Sequence, residues 1–198
     1  MFIKWNRPQH LILVLILATG LFGGCSSQNA DSEPTPVLSS HPQTGLPLPP
    51  VTADGSNSEL GWVLTDGSRV KLSEHKGKVL VLDLYATWCE PCRQSIPHLL
   101  EIHRRYEAKG LELVGLNVGG PDDRVKVASF AAEFHITYPL GFPDQPLTDL
   151  LLADTTSIPQ TYVFSREGKL LKRFIGYDDS MPVQLDQLIQ SELATGSR

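Results

Sequence analysis

The sequence predicts a layered α/β domain built around a buried sheet. Two near-continuous apolar runs, KVLVLDLY at 78–85 and LELVGLNV at 111–118, have the length and composition of strands covered on both faces. Segments of helical period lie between and after such runs, an alternation that places helices against a sheet. The 198 residues, 41% of them hydrophobic, suffice for one domain with an ordinary core and are short for two. A net charge of −5 argues against nucleic acid, which calls for clustered Lys and Arg.

The elements follow in order. MFIKWNRPQH carries Lys4 and Arg7, then LILVLILATGLFGG runs apolar up to Cys25. A basic n-region, an apolar h-region and small residues before a cleavage point make a signal peptide over 1–25. Its apolar run is shorter than the ~20 residues a spanning helix prefers. LFGGC resembles a bacterial lipobox, with Phe22 where Leu is usual. That resemblance implies that Cys25 becomes the lipidated first residue of the mature chain; an uncleaved signal anchor is the alternative. Either way the chain is expected outside the cytoplasm, held at a membrane. Residues 26–58, rich in Ser, Pro, Asn and Gly without any period, read as a tether stiffened around Pro47, Pro49 and Pro50.

The ordered domain is expected over 59–195. WVLTDGSRVKL brackets Asp66-Gly67 with two apolar runs, a hairpin signal. The run at 78–85 leads directly into ATWCEPC. From Pro91 to Lys109, Ile96, Leu99, Leu100, Ile102, His103 and Tyr106 recur at helical spacing, Gly110 ends the run, and Pro97 should kink the axis. After the strand at 111–118, GGPDD leads to a helix from about 124 to 134, its Asp pair reading as an N-terminal cap. PLTDLLLA reads as a short helix, QTYVFS and KLLKRFIG as a hairpin around Glu167-Gly168, and 181–194 as a closing amphipathic helix.

Two of the three cysteines, Cys89 and Cys92, form a C-x-x-C pair. Structural zinc requires four Cys or His ligands, usually as two close pairs, and no second pair exists; His98, His103 and His135 show no ligand spacing to one another. No metal is expected. A purely structural disulfide would close too small a loop to gain much entropy. Electron exchange fits best. At a strand-to-helix junction, Cys89 lies at the helix N-terminus, where backbone donors and the dipole favour a thiolate. Pro91 occupies a first-turn position that needs no N–H. Cys92, one turn further in, becomes the resolving thiol. Glu90 acts in the opposite sense: a carboxylate beside Cys89 disfavours the thiolate and biases the pair toward a reductant.

VLDLYATWCEPC, followed by IPQTYVF some 70 residues on, resembles the thioredoxin superfamily, and in particular its membrane-tethered TlpA/ResA-type thiol–disulfide oxidoreductases. The resemblance covers about 60–193, with WCEPC and LNVGG its most specific pieces. It implies a thioredoxin-like fold, a central mixed sheet flanked by helices, with an N-terminal β-hairpin and an insertion at about 119–150. It implies reduction of disulfides in exported proteins, notably the haem-binding CxxCH cysteines of apocytochrome c. Electrons would come from a membrane donor of the CcdA/DsbD kind. Pro159 matches the family's cis-proline, Ile158 the residue whose backbone pairs with substrate, and Trp88 the aromatic before the first cysteine. Two positions depart from the pattern. Asp83, six residues before Cys89, stands where TlpA-like proteins often have Asn; buried, it would take the proton of Cys92. Ser95 stands where ResA-like proteins carry Glu. The rival functions are a thiol peroxidase, whose Pro-x-x-x-Thr/Ser-x-x-Cys pattern is missing, and a copper-delivery module, which uses C-x-x-x-C and a His.

Overall fold

Residues 59–195 are described by the structure, a computed structural model; the signal, tether and Cys25 assignments lie outside the described residues. The first run of apolar residues forms β3 (Val79–Tyr85), whose seven side chains are all buried. Buried on both faces, it can only be central. β4 (Leu111–Asn117) lies parallel on one side and β6 (Gln160–Phe164) antiparallel on the other. The two expected hairpins follow as β1 (Gly61–Leu64) with β2 (Arg69–Lys71), and β6 with β7 (Leu170–Ile175).

The helices are α1 (Glu90–Tyr106), α2 (Pro121–Arg124), α3 (Val127–Glu133), α4 (Gln145–Leu151) and α5 (Met181–Thr195). α1 runs on through the exposed Pro97, then tightens into a 3-10 turn over Glu107–Lys109 and stops at Gly110, which takes φ +98°. Odd-numbered residues of β3 face α1, α3 and α5 in a cluster with Ile96, Leu99, Phe130, Leu185 and Ile189. Its Leu80, Leu82 and Leu84 pack on the other face with Tyr162, Phe164 and the Leu147 and Leu151 of α4. Period two in a strand thus sorts one sequence run into two cores.

Three features depart from expectation. A strand that the sequence did not announce, β5 (Leu140–Pro143), pairs parallel with β4 and antiparallel with β1, giving the order β2-β1-β5-β4-β3-β6-β7. Four residues, the last of them a proline and another proline just before the first, carry no readable alternation; pairing on both sides makes the strand. Through it the insertion becomes part of the sheet. Asp144 closes this seam: it caps α4 through the Leu147 N–H (2.9 Å), accepts from the Gly61 N–H (3.0 Å) and pairs with Arg69 (2.9 Å).

The helix expected at 124–134 is instead two, α2 and α3, broken at Val125 and Lys126. Val125 and Lys126 keep right-handed helical angles between them; Val127 and Phe130 of α3 are buried in the core, and Asp123 of α2 is bonded to Thr87. Nor does the Asp pair cap: Gly120 is the N-cap residue of α2, with no side-chain bond.

The hairpin approaches its partner strand too closely for a side chain at Gly61, where a Cβ would lie 2.2 Å from the Val70 carbonyl oxygen. The three nearest atoms are all β2 backbone, which cannot yield cheaply. Gly61→Ala is expected to cost about 1–3 kcal/mol, read as a lower urea midpoint at unchanged slope; an unchanged midpoint would show that the hairpin does not contribute to domain stability.

Candidate active site

β3 delivers the chain to the site. It ends at Tyr85, Ala86–Trp88 turn, and Cys89 enters α1 as its N-cap, with its own N–H on the Ala86 carbonyl (3.2 Å). The Cys92 N–H donates to Cys89 Sγ at 3.3 Å, and the two cysteines form a disulfide with Cα atoms 5.2 Å apart. Glu90 and Pro91 occupy the first turn. A sulfur here faces free backbone donors and the positive end of a 17-residue helix, which stabilises negative charge on it. Cys92 is 1% exposed and Cys89 4%, so the expected order of burial holds, though both are largely covered as the disulfide.

The loop before β6 supplies the opposite wall. Ile158–Pro159 is a cis peptide, and the Ile158 carbonyl oxygen lies 3.8 Å from Cys89 Sγ. Residues 69 positions apart thus form one surface. Trp88 is 65% exposed, so it is not a packing residue of its loop. One turn past Cys92, the buried Ser95 donates its hydroxyl back to the Cys92 carbonyl (2.8 Å), a neutral bond within the helix.

Asp83 lies on the face of β3 that carries Val81 and Tyr85, the face on which the cysteines also pack. It is 2% exposed and accepts one bond, from Thr161 Oγ1 (2.9 Å). Loss of water outweighs that bond and pushes its pKa up to about 7. Tyr85 and Tyr138, buried nearby, are raised by burial and by the Asp83 charge. A carboxyl that changes charge near neutral pH, on the cysteine face, is suited to receive a proton there.

Glu90 is less effective than its sequence position implies. It points to solvent, near Arg93 Nε (3.9 Å) and the Gln94 amide. Arg93 also donates to the Thr87 carbonyl (3.4 Å), pairs with Glu133 and stacks over Phe134 at 4.6 Å. Water and this guanidinium offset the Glu90 charge.

The sequence reading missed a second carboxylate. Asp123 is 2% exposed and accepts from the Thr87 N–H (2.9 Å), the Thr87 hydroxyl (2.5 Å) and Asn117 Nδ2 (2.7 Å). Burial works to raise its pKa, but the bonds from Asn117 and Thr87 prevail and leave it below the usual carboxylate range. The signal was present in LNVGG: Asn117 is the donor, and Gly119 leaves the room, since a Cβ there would sit 2.3 Å from Asp123 Oδ2. Among the described residues no three His, Cys, Asp or Glu side chains converge as metal ligands.

A disulfide at the mouth of α1, beside a cis-proline loop at one end of a mixed sheet, defines a domain of the thioredoxin superfamily whose site is suited to thiol–disulfide exchange. More narrowly, residues 47–173 match the AhpC/TSA family model, and the chain belongs to that family. Among curated proteins it is similar to the thiol-disulfide oxidoreductase ResA of Bacillus subtilis (strain 168), 31% identical over 113 residues, 57% of this chain and 61% of that one. With ResA of Bacillus cereus (strain ZK / E33L) identity is 24% over 177 residues, 87% of this chain and 90% of that one. So the chain spans about three fifths of the first relative and nearly all of the second. A crystal structure from Chlorobium tepidum, described as a thiol:disulfide interchange protein DsbE, superposes with a TM-score of 0.59 at 29% identity, covering 67% of this chain and 92% of that one.

Proposed function

We propose that the protein reduces disulfides in exported proteins, with the paired haem-binding cysteines of apocytochrome c as its substrate class. The single observation that carries the reading is the Cys89 sulfur at the N-terminus of α1, 3.8 Å from the Ile158 carbonyl beside cis-Pro159. In this reading a substrate strand lies along 157–159, which brings its own disulfide to Cys89.

The Cys89 thiolate attacks one substrate sulfur, the substrate S–S bond breaks, and the second substrate sulfur leaves as thiolate. Cys92, its proton passing to Asp83, then attacks Cys89 Sγ and displaces the first. The substrate gains two electrons and, with protons, becomes a dithiol; the Cys89–Cys92 pair loses two and becomes the disulfide. A membrane electron donor of the CcdA/DsbD kind would restore the dithiol. Lipidation at Cys25 would hold the domain at the extracytoplasmic face of the membrane, and residues 26–58 would give it reach.

The test is to mix the pre-reduced protein with a CxxCH peptide oxidised to its internal disulfide. One peptide dithiol per protein disulfide is expected, faster than with a scrambled peptide holding the same two cysteines. Equal rates would remove the cytochrome c assignment and leave general reduction. Consumption of hydrogen peroxide in preference to the peptide would replace the reading with a peroxidase.

A further inference from the structure

We propose that Asp123 is a positioning residue of the redox site, whose carboxylate holds the loop before Cys89 and whose charge biases the Cys89–Cys92 pair toward the disulfide. The geometry has three parts. Asp123 receives both the backbone and the hydroxyl of Thr87, two residues before the nucleophile. It also receives Asn117 Nδ2 from the end of β4, tying that strand end and the start of α2 to the loop. Gly119 clears the space that it fills. Two bonds on one residue fix the direction in which the chain passes Trp88 and enters α1.

The electrostatic part follows from burial. All three donors are neutral, so no cation cancels the charge through these bonds. Two cations bear on the region: Lys126, which acts on Asp123, and Arg93, which is held on the Thr87 carbonyl and Glu133. Reducing the disulfide takes two electrons and two protons, and the dithiol is favoured to the extent that Cys89 is stable as thiolate. The Asp123 anion, 2% exposed and bonded to the loop that leads into Cys89, opposes that thiolate with little water around it to screen its charge. The exposed Glu90 opposes it through water and beside Arg93. Asp123 is therefore the less screened charge, although Glu90 is the neighbour in sequence.

The experiment equilibrates the full chain with glutathione buffers and counts free thiols by alkylation and mass. Asp123→Asn is nearly isosteric, and the Thr87 hydroxyl can turn to accept from the amide. It is expected to shift the equilibrium toward the dithiol by about three- to tenfold, that is about 15–30 mV. Glu90→Gln is expected to shift it less than about twofold, as for a screened surface charge. Asp123→Ser, neutral and smaller, carries the same expectation should the Asn variant not fold. An Asp123→Asn equilibrium matching wild type, or a shift no larger than that of Glu90→Gln, overturns the proposal, as does a variant altered only in its melting temperature. Exchange through Cys89 and Cys92 needs no Asp123, so such a failure would leave the proposed function standing.

Discussion

Cys89→Ser is expected to abolish reduction of insulin disulfides, whereas Cys92→Ser is expected to accumulate covalent adducts with its substrates. The asymmetry follows from position. Cys89 is the cap of α1, beside exposed Trp88 and facing the Ile158 carbonyl; Cys92 is one turn inside and all but fully covered. Of the two sulfurs the outer one is the less covered, 4% against 1%, and so the one an incoming disulfide meets first. Removing the nucleophile of a covalent mechanism costs on the order of a thousandfold or more in rate. Removing the resolving thiol leaves the first step intact and stops the second, so the mixed disulfide persists until an external thiol cleaves it. Capture with the Cys92→Ser protein, followed by non-reducing electrophoresis and mapping of the linked sulfur, checks both halves. Adducts carried by Cys92 in the Cys89→Ser protein would reverse the roles. Turnover by Cys92→Ser at the wild-type rate would remove the resolving step altogether.

Asp83→Asn should change stability and rate in opposite directions. A buried acid whose pKa stands at about 7 when folded, against 3.8 ordinarily, binds its proton more tightly in the native state. Stability from this group is therefore complete below the unfolded value, declines as pH rises from about 4 to 7, and stays at its low level above that. The elevation corresponds to at most about 4 kcal/mol at 1.36 kcal/mol per pKa unit. Asn keeps an acceptor for the Thr161 hydroxyl and cannot ionise. The variant is expected to melt higher than wild type at pH 8, and the gap should close by pH 4. At pH 7 about half of Asp83 is ionised and able to receive the proton of Cys92. Loss of a general base typically costs a factor of ~10² to 10⁴, so resolution of a preformed mixed disulfide should slow by about a hundredfold. Stopped-flow measurement of that step decides the matter. An unchanged rate with raised stability would leave Asp83 a buried acid without a part in the exchange. A melting gap that widens toward low pH would contradict the burial argument itself.

Much of the site was legible because it is local. A buried strand running into a C-x-x-C and then a helical repeat determines that Cys89 caps a helix, that Pro91 is tolerated in its first turn and that Cys92 points inward. These follow from backbone sterics and periodicity over about thirty residues, with no knowledge of the rest. The hairpin turns at Asp66-Gly67 and Glu167-Gly168 were legible for the same reason. Pro159 is different. Its cis geometry was expected only by resemblance, since nothing local to SIPQT distinguishes it from an ordinary trans proline.

What tertiary structure alone decided are the matters of pairing and of dielectric. β5 exists because β1 and β4 satisfy its backbone, a condition that four residues cannot announce by themselves. The helix at 121–133 falls into two pieces, and Asp123 in the first of them is bonded to Thr87, 36 residues away, a pairing no local pattern announces. The weights of the charges were decided there too. Glu90, adjacent in sequence, ends in water beside a guanidinium, while Asp123, distant in sequence, ends in the interior beside the loop it holds. A chain specifies its strands and helices by contacts within a few residues; the strength of a charge depends on how much water the whole fold removes from around it.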